Sequence, residues 1–128
     1  MRIAYQATVA VPNGPSISSS RSVEVEAFDL VEVELAAGAA DVEVEVQPGA
    51  AGQVKFLAVT STRYGPEISY KVNSASATET HSLDQPHVLA GEGAVSMLDA
   101  APEKLFMSNA STDTDVTVQV LAGRDATP

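Results

Sequence analysis

The sequence predicts an all-β chain: an antiparallel β-sandwich, jelly-roll-like, with 8–10 short strands and almost no helix. Three observations carry that expectation. Apolar and polar residues alternate strictly in several separate segments, and a period of two places one set on each side of a strand. Gly and Pro punctuate the chain roughly every ten residues. The apolar residues are mostly Val and Ala, and the stiff χ1 of valine suits strands. A length of 128 residues fits a single domain over 1–128.

The elements follow in order. Arg2 to Val11 alternates Ile3, Tyr5, Ala7 and Val9 with Gln6 and Thr8, a first strand that Pro12-Asn13-Gly14-Pro15 ends. Ser16 to Ser20 is expected as a polar loop with Ile17 as its apolar anchor. Strands are predicted over Val23–Phe28, Val31–Leu35 and Val42–Val46, with Gly38 in a small-residue turn and a further turn at Pro48–Gly52. Val54–Thr60 is apolar at both parities, which predicts a strand buried on both faces. After a turn at Gly65-Pro66, Ile68, Tyr70 and Val72 alternate with Ser69 and Lys71. Asn73–Ser82 reads as an exposed loop, His87–Ala90 as a short strand, and Val95–Leu98 as another. Asp99–Lys104 is the one candidate for a helical turn. Leu105–Met107 reads as a buried strand and Val116, Val118 and Val120 as the last. The tail, about 123–128, has no apolar anchor and is expected to be flexible. Val25, Val33, Val44, Phe56, Val118 and Val120 are the expected core.

Composition excludes several functions. The chain has no cysteine, which removes disulfides, thiolate metal sites and a Cys nucleophile. A formal net charge of −10, with its seven basic residues scattered, argues against nucleic acid and against anionic membrane surfaces. No apolar run is long enough for a transmembrane helix. Arg2, Gln6 and Thr8 interrupt any signal-peptide core, so synthesis in a cytosol is expected.

The stretch from Arg21 to Val46 is the most distinctive. Its valines alternate with Glu24, Glu26, Glu32, Glu34, Glu43 and Glu45. Strands so charged would repel each other as direct neighbours, by tenths of a kcal/mol per pair. Relief comes from separation onto different sheets, from a cation, or from a basic partner surface. The plain reading is a solvated, edge-protecting face; the functional one is a partner-facing acidic face. The doubly apolar runs suggest a self-interface on the less charged strands: Val54, Phe56 and Val59, or Leu105, Phe106 and Met107, or the first strand Ile3–Val11. A dimer or trimer is expected.

Catalytic signals are weak. His81, Asp84 and His87 are the one cluster with ligand chemistry, but His-x2-Asp-x2-His on a loop is no established metal pattern. No Gly-x-Ser-x-Gly elbow and no phosphate loop occur. Asp99 and Glu103 form no more of a carboxylate pair than the other acids do. Asn109-Ala-Ser111 matches a glycosylation sequon, expected to be chance. The expectation is no enzyme, no cofactor and no metal.

Phe56-Leu-Ala-Val-Thr-Ser61, Leu105-Phe-Met-Ser-Asn109 and Val118-Gln-Val-Leu-Ala-Gly-Arg-Asp125 are strand-and-turn segments. In these, and in layout and composition, the chain resembles the small β-rich virion proteins of tailed bacteriophages, of the head decoration or cement type. The resemblance implies homo-oligomerisation, binding across the joints of a capsid or shell lattice, and a final location in the virion after synthesis in the host cytoplasm. The alternative is a carbohydrate-binding or adhesin-type module on the same scaffold, for which Tyr64 beside Gly65-Pro66 is the candidate loop aromatic. A cupin-like enzyme would need a His-rich inner face, which two loop histidines do not supply.

Overall fold

The computed structural model describes residues 1–46, 54–99 and 102–125. Strands β1 (Arg2–Ala10) and β2 (Ser16–Glu24) form a hairpin. The remaining strands are β3 (Ala27–Leu35), β4 (Val42–Glu45), β5 (Val54–Ser61), β6 (Ile68–Val72), β7 (His81–Ser82), β8 (His87–Ala90), β9 (Lys104–Asn109) and β10 (Val116–Arg124). One helical turn, α1 (Glu92–Val95), stands between β8 and β9.

Two four-stranded sheets make the body, in the orders β3-β10-β5-β8 and β4-β9-β6-β7. All strand pairs are antiparallel. Every connection from β3 to β10 passes from one sheet to the other except the link between β6 and β7. That is the strand order of a jelly roll, in which neighbours in the sheet are distant in sequence. The all-β sandwich expected from the alternation is therefore the fold.

The core lies between the two sheets because the apolar parities of their strands face each other. Leu35, Leu57, Val59, Val116, Val118 and Val120 pack from the first sheet, with Val44, Ile68, Tyr70, Leu105 and Met107 from the second. Each such side chain contributes on the order of 1.5–3 kcal/mol when fully removed from water. Of the six expected core residues, Val44, Val118 and Val120 are buried in this cluster and Val33 is half-buried against it, while Val25 and Phe56 are buried at the base of the hairpin instead.

Several local expectations are corrected. Ser16–Ser20 is not a loop but the first half of β2, paired in register from Ala10↔Ser16 to Arg2↔Glu24. Its apolar alternation is absent because this part of the strand is exposed on both faces. The strand expected over Val23–Phe28 breaks at Val25 and Glu26, where the chain passes from hairpin to body; Val25 N–H donates to Met1 O and Glu26 N–H to Arg124 O. Val95 is in the helical turn, not a strand: Gly91 takes a left-handed φ of 91°, and Val95 N–H donates back to its carbonyl. The helical turn expected at Asp99–Lys104 falls partly outside the described residues, and Lys104 opens β9. Gly123 and Arg124 are no tail but the end of β10, held by Arg124 on Asp29 at 2.7 Å and by Lys55 on Asp125 at 2.9 Å. The turn expected at Pro48–Gly52 and the last three residues lie outside the described residues.

Candidate functional site

The hairpin is amphipathic, and its register shows how. Ile3 opposes Val23, Tyr5 opposes Arg21, Ala7 opposes Ser19 and Val9 opposes Ile17, all on one face. The other face carries Arg2 with Glu24, Ala4 with Ser22, Gln6 with Ser20 and Thr8 with Ser18. The base of the apolar face is seated on the body. A Cβ at Gly123 would lie 2.5 Å from Ile3 Cδ1 and 3.0 Å from Val25 Cγ1, so the missing side chain lets the hairpin approach the sheet. Tyr5 and Phe56 meet with ring centroids 6.4 Å apart. Ile3 over β10 and Tyr5 over β5 direct the hairpin across the strands, toward the β8 edge.

Beyond Tyr5 no described residue covers the apolar face. Every residue from Gln6 to Ser22 is exposed, and Val9, Val11 and Ile17 are exposed at 61%, 54% and 71%. The tip turns through Val11–Pro15, with Val11 N–H donating to Pro15 O and Asn13 in the left-handed region.

The outer face of the β3-β10-β5-β8 sheet bears a second uncovered apolar surface. Leu30, Leu121, Ala58 and Val88 are mutual cross-strand neighbours and form one row over all four strands. Leu30 and Val88, at its two ends, are 58% and 53% exposed. On β3 the row is flanked by Phe28 on the hairpin side and by Glu32, then Glu34, on the other.

The six glutamates do not form one face. β2, β3 and β4 pair with β1, β10 and β9 respectively, never with one another, so the acidic strands are separated onto three sheets. Glu32 and Glu34 lie on the outer face of one body sheet, Glu43 and Glu45 on the second, and Glu24 at the base of the hairpin, with exposed Glu26 just after it. Local partners complete the relief: Gln119 Nε2 donates to Glu32 at 3.0 Å, and Lys104 Nζ reaches Glu43 at 2.9 Å. That hydrogen bond to Glu43 is the main reason the Lys104 ammonium is held above its ordinary value.

The doubly apolar runs are satisfied within the chain. Val54, Val59, Leu105 and Met107 are buried in the core, and Phe56 lies under the hairpin base. A self-contact through these five has no surface to use; Phe106, half-buried on β9, is the exception. The first strand, the third expected place, is the one that remains open.

His81 and His87 do come together, though not as a metal triad. They stand on the edge strands β7 and β8, one in each sheet, and Tyr70 bridges the seam between them. Its ring lies 5.4 Å from that of His81 and 5.6 Å from that of His87, and its hydroxyl is 2.7 Å from His87 Nδ1. Burial pushes the Tyr70 phenol up to about 12, so the phenol keeps its proton at neutral pH. Asp84 is exposed, and among the described residues no group of three or more His, Asp or Glu is placed to hold a metal ion. Beside the seam lies an open cleft of about 330 Å³, lined by Val72, Ala77, Thr78, Glu79, His81, Leu98 and Asp99.

Two further residues are placed by packing. Asn109 is fully buried; its amide donates to Leu35 O and Thr114 O, and its Oδ1 accepts from Ser111 N–H. The sequon asparagine is thus a clamp between β3 and the Ser111–Thr114 turn. Tyr64, the candidate loop aromatic, is half-buried against the core, with its hydroxyl accepting from Ser61 N–H.

Comparison with protein-family models, with curated proteins and with solved structures finds no match to this chain.

Proposed function

We propose that the chain is a structural assembly subunit, of the type that decorates or cements a virus-like shell by binding between its subunits. The observation that carries this reading is the hairpin: an amphipathic arm whose apolar face is anchored at the base and uncovered from Ala7 to the tip. Apolar surface of this kind, rimmed by serines, fits a protein contact. The jelly roll is common to viral shell proteins, lectins and cupins. It supports the reading without selecting it, because function resides in the site and not in the fold. The body supplies a rigid mount, and its exposed glutamates suit a more basic shell surface.

The gene neighbourhood is the first test, and a shell-forming protein encoded beside this chain is the expected finding. The second is co-sedimentation of the purified chain with particles of that shell protein. Binding through the glutamates should weaken with salt, since the Debye length falls to about 3 Å at 1 M. Particles that leave the chain in the supernatant at low salt would refute the reading.

A further inference from the structure

We propose that the distal half of the hairpin is seated on a second copy of this chain, across the outer row Leu30, Leu121, Ala58 and Val88. This deepens the assembly reading and rests on it.

The first reason is continuity. The face that grips its own sheet through Ile3 and Tyr5 continues as Ala7, Val9 and Ile17 without a change of character, but the chain's own body no longer lies beneath it. The proximal half already crosses the strands of this same sheet face, on the row Gly123 and Phe56. The next row toward Glu32 is Leu30, Leu121, Ala58 and Val88, and it is uncovered. An arm from a second copy would lie beside the resident one in the same crossing direction.

Size is the second reason. Ala7 to Val11 spans four residue steps, about 14 Å at 3.4 Å per residue. The row crosses three strand spacings of about 4.8 Å, again about 14 Å. The uncovered length of arm therefore matches the width of the uncovered row.

The third reason is charge. All seventeen acidic residues lie from Glu24 onward, and the hairpin before it carries Arg2 and Arg21 with no acid. Arg2 faces Glu24 of its own chain at 3.6 Å. Among the described residues the Arg21 side chain has no ion pair or hydrogen bond, and it stands on the apolar face opposite Tyr5. The target row is bordered by Glu32 and Glu34. A cationic arm and an acidic body are complementary between copies, whereas body against body is not.

The test is sedimentation velocity on the full chain and three variants. The wild type is expected to sediment above the monomer mass. Val9→Asp with Ile17→Asp, and separately Leu30→Asp with Val88→Asp, should each sediment as a monomer with an unchanged circular dichroism spectrum, because all four side chains are exposed. Mixing the two variants should restore a dimer, since the arm of one meets the intact row of the other. Arg21→Glu should raise the dissociation constant several-fold, and Glu32→Lys with Glu34→Lys in the same chain should recover part of that loss. A row variant that remains dimeric while the arm variant dissociates would mean that tips meet tips, and overturns the proposal. So does a mixture that stays monomeric, or a wild type that is monomeric at every concentration. A monomeric chain that still co-sediments with shell particles would overturn arm exchange alone and leave the assembly reading standing.

Discussion

The molecule contains two antiparallel ladders of nine paired residues each, β1 with β2 and β3 with β10. Their backbones are equivalent, but their surroundings are not. In the body ladder, Val116, Val118, Val120 and Ala122 are buried, and β5 pairs the far side of β10. In the hairpin, β1 and β2 pair with each other alone, and burial stops at the base. A two-stranded hairpin is marginal in water without a face packed on something else. Hydrogen-bonded pairing therefore sets the shape of both ladders, and apolar burial decides which is stable by itself.

The largest expected effect separates the two regions directly. Leu57→Ala or Leu105→Ala, in the closed core, should lower the unfolding free energy by about 2–5 kcal/mol. Val9→Ala or Ile17→Ala at the tip should change it by no more than about 0.5 kcal/mol under conditions where the chain is monomeric. Denaturant midpoints measure both, and equal shifts would remove the distinction.

The seam of the body gives the next effect. The Tyr70 phenol is raised from 10.0 to about 12 by burial, so the folded chain holds this proton more tightly than the unfolded one. Its contribution is fully present below pH 10 and is lost as pH rises toward 12, by about 2–3 kcal/mol in all. Tyr70→Phe should flatten that part of the alkaline stability profile. A profile equally steep in the variant would place the alkaline sensitivity elsewhere.

Gly123→Ala acts on the junction between the two regions. The new Cβ meets Ile3 Cδ1 and Val25 Cγ1 inside ordinary contact distance, so the Ile3 side chain or the hairpin base must shift. A cost of about 1–3 kcal/mol is expected. Hydrogen exchange should accelerate in β1 and β2 more than in β5 or β9, and uniform acceleration would show that hairpin and body unfold as one unit. The smallest effect is Glu43→Gln, which removes an exposed pair with Lys104 and should change stability by less than about 1 kcal/mol.

Much of the fold was legible because burial writes itself into sequence as alternation. Val42, Val44 and the β10 valines announce their strands, and the run at Val54–Thr60 announces a central strand. Ser16–Ser20 was illegible because a strand with both faces in water carries no period. The acidic face was misleading for a different reason: glutamates clustered in sequence are dispersed in space when each connection crosses to the other sheet. The nearness of His81 and His87 in sequence was visible, but Tyr70 as the residue that both contact was not, since it read simply as a core position of its strand. The arm was half legible, as an apolar first strand, while the fact that no described residue of the body covers its end depends on topology.

The order of strands also has a consequence in time. β1 and β2 are adjacent in sequence, and hairpins close within microseconds. β3 has no such neighbour: Leu35 pairs with Val116 and Ala27 with Arg124, more than half the chain away. Such non-local pairing slows folding, because the loop must close before any contact stabilises it. On a ribosome β3 emerges long before β10, and it waits as an open edge for as long as the rest of the chain takes to be made. Glu32 and Glu34 project from that edge throughout the wait, beside the apolar residues that nascent neighbours would otherwise join.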